Sequence, residues 1–129
     1  MIAAVETVDG VLLVDVEEEA VLGAGTELPA TDAPTVDLPR VIATARAGAT
    51  VVAVVERRPP LAISNDAGAT WREAGGGLPA GFAVAIAEDD PDRIVYAARN
   101  RLYVSTNGGV FWRSLEPELP DISGIAWID

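Results

Sequence analysis

Residues 64–71, SNDAGATW, bring together the side chains of this sequence that are best suited to chemistry. They place the hydroxyls of Ser64 and Thr70 on either side of the carboxylate of Asp66. Such a group can bind a metal ion or a sugar. It can also accept hydrogen bonds from nearby backbone N–H groups and so shape a tight turn. Because turn chemistry accounts for every position, the stretch favours a structural role.

A similar stretch, STNGGVFW, occurs 41 residues later at residues 105–112. The aligned pairs are Ser64 with Ser105, Asp66 with Asn107, Gly68 with Gly109, and Trp71 with Trp112. Glycine at the third pair suits a position of positive φ, and the tryptophan can pack beneath the loop. Each copy therefore predicts a hairpin held by its own side chains, in which loss of the indole costs about 3–5 kcal/mol.

The elements that position these hairpins repeat with the same period. In the clearest copy the segments FAVAIAED, RIVYAARN, RLYVST and VFWRSLE follow one another, with DPD and NGG as turns. Short runs rich in β-branched and aromatic residues, bounded by Gly, Pro, Asn or Asp, predict four antiparallel strands. A repeated four-stranded unit of about 40 residues is typical of a β-propeller blade.

The repeated residues also resemble a known family. SNDAGATW matches the Asp-box pattern S-x-D-x-G-x-T-W of BNR repeats at each defined position, and STNGGVFW is a weaker copy with Asn107 and Phe111 substituted. The resemblance covers residues 40–120 and implies the sialidase-like β-propeller superfamily. It implies the fold rather than an activity, because Asp boxes occur in sialidases, sortilin-like receptors and photosystem assembly factors alike.

The blade count predicts an assembly. We expect an all-β chain of three four-stranded antiparallel blades: blade 1 at about 1–29, blade 2 at about 40–79 and blade 3 at about 80–120, with a loop at 29–39. Blade 1 lacks its first strand, and residues 121–129 supply one. Since propellers usually have four to eight blades, we expect a half-propeller that dimerises into a six-bladed ring by strand exchange between termini. A competing register makes MIAAVET a first strand, giving thirteen strands.

The linking stretch PATDAPTVDLP, from Pro29 to Pro39, is rich in Pro, Thr and Asp. It is interpreted as a solvated connection, with a binding rim as the alternative. The acidic runs VEEE, residues 16–19, and EDDPD, residues 88–92, lack the spacing of a dedicated calcium loop and are interpreted as solvated turns.

Composition excludes several kinds of chemistry. The chain has neither cysteine nor histidine, and its net charge of -11 disfavours nucleic acid and anionic membranes as partners. We expect no cofactor, no metal site and no catalytic residue. The first residues do not resemble a secretory signal and no apolar run is long enough to span a bilayer, so a soluble cytoplasmic protein is predicted.

Three classes of function follow. The leading hypothesis is a non-enzymatic assembly or interaction module with an unknown protein partner. The second is a carbohydrate or small-ligand binder at the channel mouth, where Trp127 is a possible ligand-facing residue. The third, implied by the resemblance, is a sialidase-like glycosidase. The resemblance implies an arginine triad, a tyrosine and acidic partners around the channel of such an enzyme. The sequence disfavours this third hypothesis, because Tyr96 and Tyr103 fall within strands away from the channel mouth. Convergent arginines, or two carboxylates within about 10 Å, would favour it.

Overall fold

The computed structural model describes residues 1–29 and 33–128, and these form an all-β structure. Its twelve strands lie in three four-stranded antiparallel sheets, which confirms the predicted fold class at this level. The strands are β1 Ile2–Thr7, β2 Gly10–Asp15, β3 Ala20–Ala24, β4 Val41–Ala47, β5 Thr50–Val55, β6 Leu61–Ser64, β7 Arg72–Ala74, β8 Ala83–Ala87, β9 Asp90–Ala97, β10 Leu102–Ser105, β11 Arg113–Ser114 and β12 Ile122–Trp127.

The three sheets share one strand order. The first sheet is β12-β1-β2-β3, the second is β4-β5-β6-β7 and the middle sheet is β8-β9-β10-β11. The inner strand of the middle sheet, β8, contacts both β12 and β4. The sheets therefore stand side by side like propeller blades, and the middle sheet separates the other two.

Strand β12 lies beside β1 of the same chain. Ala3 pairs with Trp127, and Ala4 pairs with Ala126, in antiparallel register. The first sheet thus holds the N-terminal and C-terminal strands of one chain side by side, and β1 is its second strand.

One turn and the fourth strands of two sheets differ from the sequence-based expectation. β9 begins at Asp90, so the turn before it is formed by Glu88 and Asp89 rather than by DPD. The fourth strands are also shorter than predicted, since β7 and β11 begin one residue after Trp71 and Trp112. Both tryptophans belong to the hairpin loops, because strand pairing begins only at the following residues, Arg72 and Arg113.

Two clusters of buried side chains join the sheets. One contains Val5 and Val14 of the first sheet together with Val95 and Leu102 of the middle sheet. The other contains Val52 and Ile63 of the second sheet with residues of the middle sheet, among them Tyr96. Alternate residues of β8, β9 and β10 in the middle sheet contribute to opposite clusters, which explains why strands such as β8 are apolar at consecutive positions.

An arginine after each hairpin tryptophan links neighbouring sheets. Arg72 Nη2 donates to the carbonyl of Gly108 at 2.6 Å, from the second sheet to the middle one. Arg113 Nη2 donates to the carbonyl of Val16 at 3.3 Å, and its Nη1 pairs with Glu19 at 2.9 Å, from the middle sheet to the first. Both interfaces in the chain therefore carry the same kind of link.

The linker, residues 25–40, connects the outer strand of the first sheet to the inner strand of the second, and residues 30–32 of the predicted loop at 29–39 lie outside the described residues. A side chain at Gly25 would crowd Val11 and Leu13 of the first sheet. Further along, Val36 and Leu38 pack against buried residues of the second sheet. The expectation of a solvated connection is therefore corrected for this part of the linker, whose apolar side chains cover the second sheet.

Candidate functional site: two hairpins and a central cavity

The first hairpin, residues 64–71, is held by its own polar side chains. Asp66 Oδ1 accepts from the backbone N–H of Thr70 at 2.8 Å, and Oδ2 accepts from the Thr70 hydroxyl at 2.6 Å. The Ser64 hydroxyl donates to Asp66 Oδ1 at 2.7 Å and accepts from the N–H of Gly68 at 2.8 Å. Each carboxylate oxygen thus accepts at least one hydrogen bond from within the loop, as turn chemistry requires.

The second hairpin, residues 105–112, has the same geometry with an amide in place of the carboxylate. Asn107 Oδ1 accepts from the Ser105 hydroxyl at 2.9 Å and from the N–H of Phe111 at 3.0 Å. The Ser105 hydroxyl accepts from the N–H of Gly109 at 2.9 Å. The amide oxygen therefore replaces one carboxylate oxygen, and only the bond to a threonine hydroxyl is lost.

Glycine and tryptophan complete both hairpins. Gly68 and Gly109 adopt φ values of 94° and 87°, in the region that favours glycine. A side chain at Gly109 would also lie 2.7 Å from Ile63 Cδ1 of the second sheet. The Trp112 indole donates to the Gly109 carbonyl at 3.0 Å. The hairpins therefore hold the ends of the strands that they connect. The second hairpin also packs closely against Ile63 of the second sheet, at Gly109.

Asp66 makes the first hairpin sensitive to acid. Hydrogen bonds from the Thr70 hydroxyl, the Thr70 N–H and the Ser64 hydroxyl lower the pKa of Asp66 from 3.8 to about 2. A folded-state pKa below the unfolded value means that the contribution to stability is present above pH 3.8 and is lost as the pH falls towards 2. We expect Asp66→Asn to flatten this part of the pH dependence, as measured by urea unfolding.

The second hairpin supplies the control for this prediction. Asn107 does not titrate, so the Phe111 amide resonance should stay constant while that of Thr70 follows Asp66 with a midpoint near 2. The reciprocal variant Asn107→Asp should introduce acid sensitivity where there was none. A midpoint near 3.8 at Thr70 would show that the hairpin bonds do not hold the carboxylate in solution.

A cavity of about 580 Å³ lies where the three inner strands meet. Its walls come from β4, β8 and β12, which include Ala45, Ala85 and Ile125, and from Glu27 and Pro29 of the linker. The hairpins lie elsewhere, and their residues do not line it. Inner strands of three sheets thus form a concave surface, the shape that ligand sites usually have.

The cavity is also lined by charged side chains that were not predicted from the sequence to form a site. They are Glu27 of the linker, Arg46 of β4, and Glu88 and Asp89 of the β8–β9 turn, all exposed. Glu88 and Asp89 belong to the acidic run interpreted as turn chemistry. The available signal was their position at the end of an inner strand, in the turn that leads to the second strand of the sheet.

Trp127, the possible ligand-facing residue, lines the cavity and is half-buried. Its indole N–H donates to the Ala85 carbonyl at 3.3 Å, and the guanidinium carbon of Arg93 lies 5.9 Å from its ring centroid. It also packs against the cluster between the first and middle sheets. The ring is therefore fixed in place and serves the core as well as the cavity wall.

The tyrosines lie away from this cavity. Tyr96 is fully buried between the second and middle sheets, and its hydroxyl donates to the Pro79 carbonyl at 2.6 Å. Tyr103 packs against the same cluster, with its ring centroid 6.3 Å from that of Tyr96. Neither hydroxyl is placed to act on a molecule in the cavity.

The described residues contain no helix that could cross a lipid bilayer. They also contain no group of three or more Asp, Glu, His or Cys side chains placed to hold a metal ion.

Comparison with known proteins supports the fold. No protein-family model matches the sequence, and no curated protein gives a significant match. The structure is similar to the crystal structure of the GH74 enzyme of Niastella koreensis, with a TM-score of 0.52 and 23% sequence identity. The match covers 92% of this chain and 18% of the enzyme, so the chain corresponds to a small part of that protein. At this identity the likeness shows a shared β-rich fold.

Proposed function

We propose that the chain is a non-enzymatic interaction module, a BNR-type half-propeller that pairs with a second copy to complete a six-bladed ring. In this proposal the two hairpins are Asp boxes that hold the blades in shape. The observation that carries it is the exposed apolar outer strand of the first sheet, β3, at the end of the row of three. Sheets with an apolar side need a neighbour to cover it.

The free face is the outer strand of the first sheet, β3. The side of this sheet that points away from the middle sheet is partly covered, since Ala4 and Ala126 are 2% and 1% exposed there and a side chain at Gly124 would meet Leu28 of the linker. Strand β3 lies beyond this cover, with Val21 43% exposed and Leu22 53% exposed. The free face therefore offers large apolar side chains to water.

The other end of the row is different. There Val36 and Leu38 of the linker pack on Ala53, Val55 and Ala62 of the second sheet. In a head-to-tail pair, the free face of each copy would pack on this linker-covered end of the other. Exchange of β12 between copies, as expected from the sequence, would keep the same β12–β1 pairing between chains rather than within one.

The cavity gives little support to the glycosidase alternative. A catalytic acid in such enzymes is usually kept protonated by an apolar surrounding. Glu88 and Asp89, which are adjacent in sequence, do bring two carboxylates to the cavity, but they and Glu27 are exposed there rather than in an apolar surrounding. Arg46 is the single arginine that lines it within the described residues, where the sialidase resemblance implies three. Binding of a small ligand in the cavity is the second candidate, because Trp127 lines it.

Leu22→Asp tests the proposal. The substitution would place an unpaired carboxylate in the contact between copies, and burying such a charge costs more than the roughly 1.4 kcal/mol that separates tenfold changes in affinity. We expect sedimentation equilibrium to show a dimer dissociation constant at least about tenfold higher than that of the wild type.

Val8→Asp is the matched control. Val8 is 74% exposed in the β1–β2 turn of the same sheet, away from the free face, so the same charge change there should leave the dimer unchanged. Circular dichroism of both variants checks that they fold. Equal masses for wild type and Leu22→Asp, or equal weakening by Val8→Asp, would contradict pairing through the free face.

A further inference from the structure

The central cavity is suited in size and lining to a small organic molecule. Its volume of about 580 Å³ falls within the range of about 300–1,000 Å³ found for ligand sites. Most of its lining residues are apolar, and those whose side chains are not buried are Pro29, Trp127 and Ile128. A few polar groups around an apolar wall are the usual composition of a site that binds by shape and orients by charge.

The wall is stiff as well as apolar. Ala85 and Ile86 belong to β8, which lies between the other two inner strands and is buried along its length. Trp127 is held by the bond from its indole to the Ala85 carbonyl. A preformed apolar wall lowers the entropy that binding would otherwise lose by ordering it.

Charge selects the ligand. Three carboxylates, Glu27, Glu88 and Asp89, line the cavity together with one guanidinium, Arg46, and a second guanidinium, that of Arg93, lies at the Trp127 ring. The carboxylates come from two separate segments, the linker and the β8–β9 turn, and the chain as a whole carries -11. A cleft dominated by one sign of charge raises the local concentration of the opposite ion and repels like charge.

We propose that this cavity binds a small organic cation, an amine carried on an apolar body, with the body against Trp127 and Ile128 and the amine at the carboxylates. The inference rests on the proposed function in one respect, that the chain works by binding rather than by catalysis. It adds the class of ligand and the residues that select it.

Three probes with one apolar body test this inference. They are 2-phenylethylamine, 2-phenylethanol and phenylacetate, which carry a positive, a neutral and a negative head group. We expect the amine to shift the Trp127 indole resonance in a two-dimensional ¹H–¹⁵N spectrum in a saturable way, the alcohol to bind at least about tenfold more weakly, and phenylacetate not to bind. The resonance is assigned with Trp127→Phe.

Paired variants separate local charge from overall charge. Glu88→Gln with Asp89→Asn keeps the shape of the cavity and removes two charges, so the amine should bind about tenfold more weakly. Glu17→Gln with Glu18→Gln removes two adjacent exposed charges that do not line the cavity, and should change the affinity by less than about twofold.

Four outcomes would overturn the inference: no saturable shift with the amine, equal binding of phenylacetate, equal loss in both double variants, or tighter binding of a neutral disaccharide such as sucrose. The last outcome would assign the cavity to carbohydrate. Mass measurements on the same samples without probe keep the two proposals distinct. If the protein is a dimer that does not bind the amine, only the proposed ligand class is wrong. If it is a monomer that binds the amine, only the proposed pairing of two copies is wrong.

Discussion

Replacing Trp112 with alanine is expected to lower the free energy of unfolding by about 3–5 kcal/mol, the range found when a large aromatic side chain is removed from a core. The half-buried ring packs on the cluster between the second and middle sheets, with its centroid 6.0 Å from that of Tyr96. Its indole also donates to the Gly109 carbonyl. The truncation therefore removes packing, an edge-to-face contact and a hairpin bond together.

Phe111→Ala is the matched control for this prediction. Phe111 is the neighbouring aromatic residue of the same hairpin, yet its side chain is 75% exposed. Its backbone N–H bond to Asn107 does not depend on the ring. Urea unfolding should therefore place Phe111→Ala within about 0.5 kcal/mol of the wild type. Similar losses in both variants would mean that Trp112 is not packed between the sheets in solution.

Gly81→Ala is expected to lower the free energy of unfolding by about 3 kcal/mol, at the upper end of the usual cost of overpacking. A methyl group at Gly81 would overlap the ring and hydroxyl of Tyr96. That ring cannot move aside cheaply, because it is fully buried and its hydroxyl donates to the Pro79 carbonyl. Burial also raises the pKa of Tyr96, which keeps the hydroxyl protonated as a donor.

Gly76→Ala provides the comparison at a second glycine. A methyl group there would meet no atom within 4 Å, and its backbone lies outside the region of positive φ. The variant should therefore unfold within about 0.5 kcal/mol of the wild type in the same urea series. If Gly81→Ala were as stable as Gly76→Ala, the packing of Tyr96 beneath residues 79–81 would be wrong.

Local sequence signals were sufficient for the strands and the hairpins. Turn residues such as Gly68 and Asn107 act through atoms within a few positions of themselves, so their spacing predicts their geometry. The period of 41 residues then predicts equivalent sheets without knowledge of any contact between them. This is why three four-stranded sheets could be inferred from one sequence.

Contacts between distant parts of the chain were beyond such signals. The bond from Arg72 to Gly108 spans 36 residues, and that from Arg113 to Val16 spans 97. An exposed arginine in a sequence does not show which partner it binds. The packing of the half-buried Val36 and Leu38 could not be predicted from the sequence either, because their alternation with polar residues is short and lies among prolines.

The cavity was anticipated only through Trp127. Its carboxylates come from a turn and from the linker, and neither segment carries a motif. Glu88 lies in an acidic run interpreted as turn chemistry. Glu88 and Asp89 do form the β8–β9 turn, and Asp90 and Asp92 follow it in β9, where the Asp92 N–H donates to Asp90 Oδ1 at 3.2 Å. Which of several adjacent acids faces a cavity depends on the β8–β9 register, which a sequence alone does not specify.

The mass of the chain in solution tests the central claim, that a half-propeller pairs with a second copy. Multi-angle light scattering across a dilution series should give a species of twice the 13.4 kDa chain mass, persisting to micromolar concentration. A mass of 13.4 kDa at every concentration would contradict the claim, and would show that the linker and the three sheets of one chain are sufficient on their own.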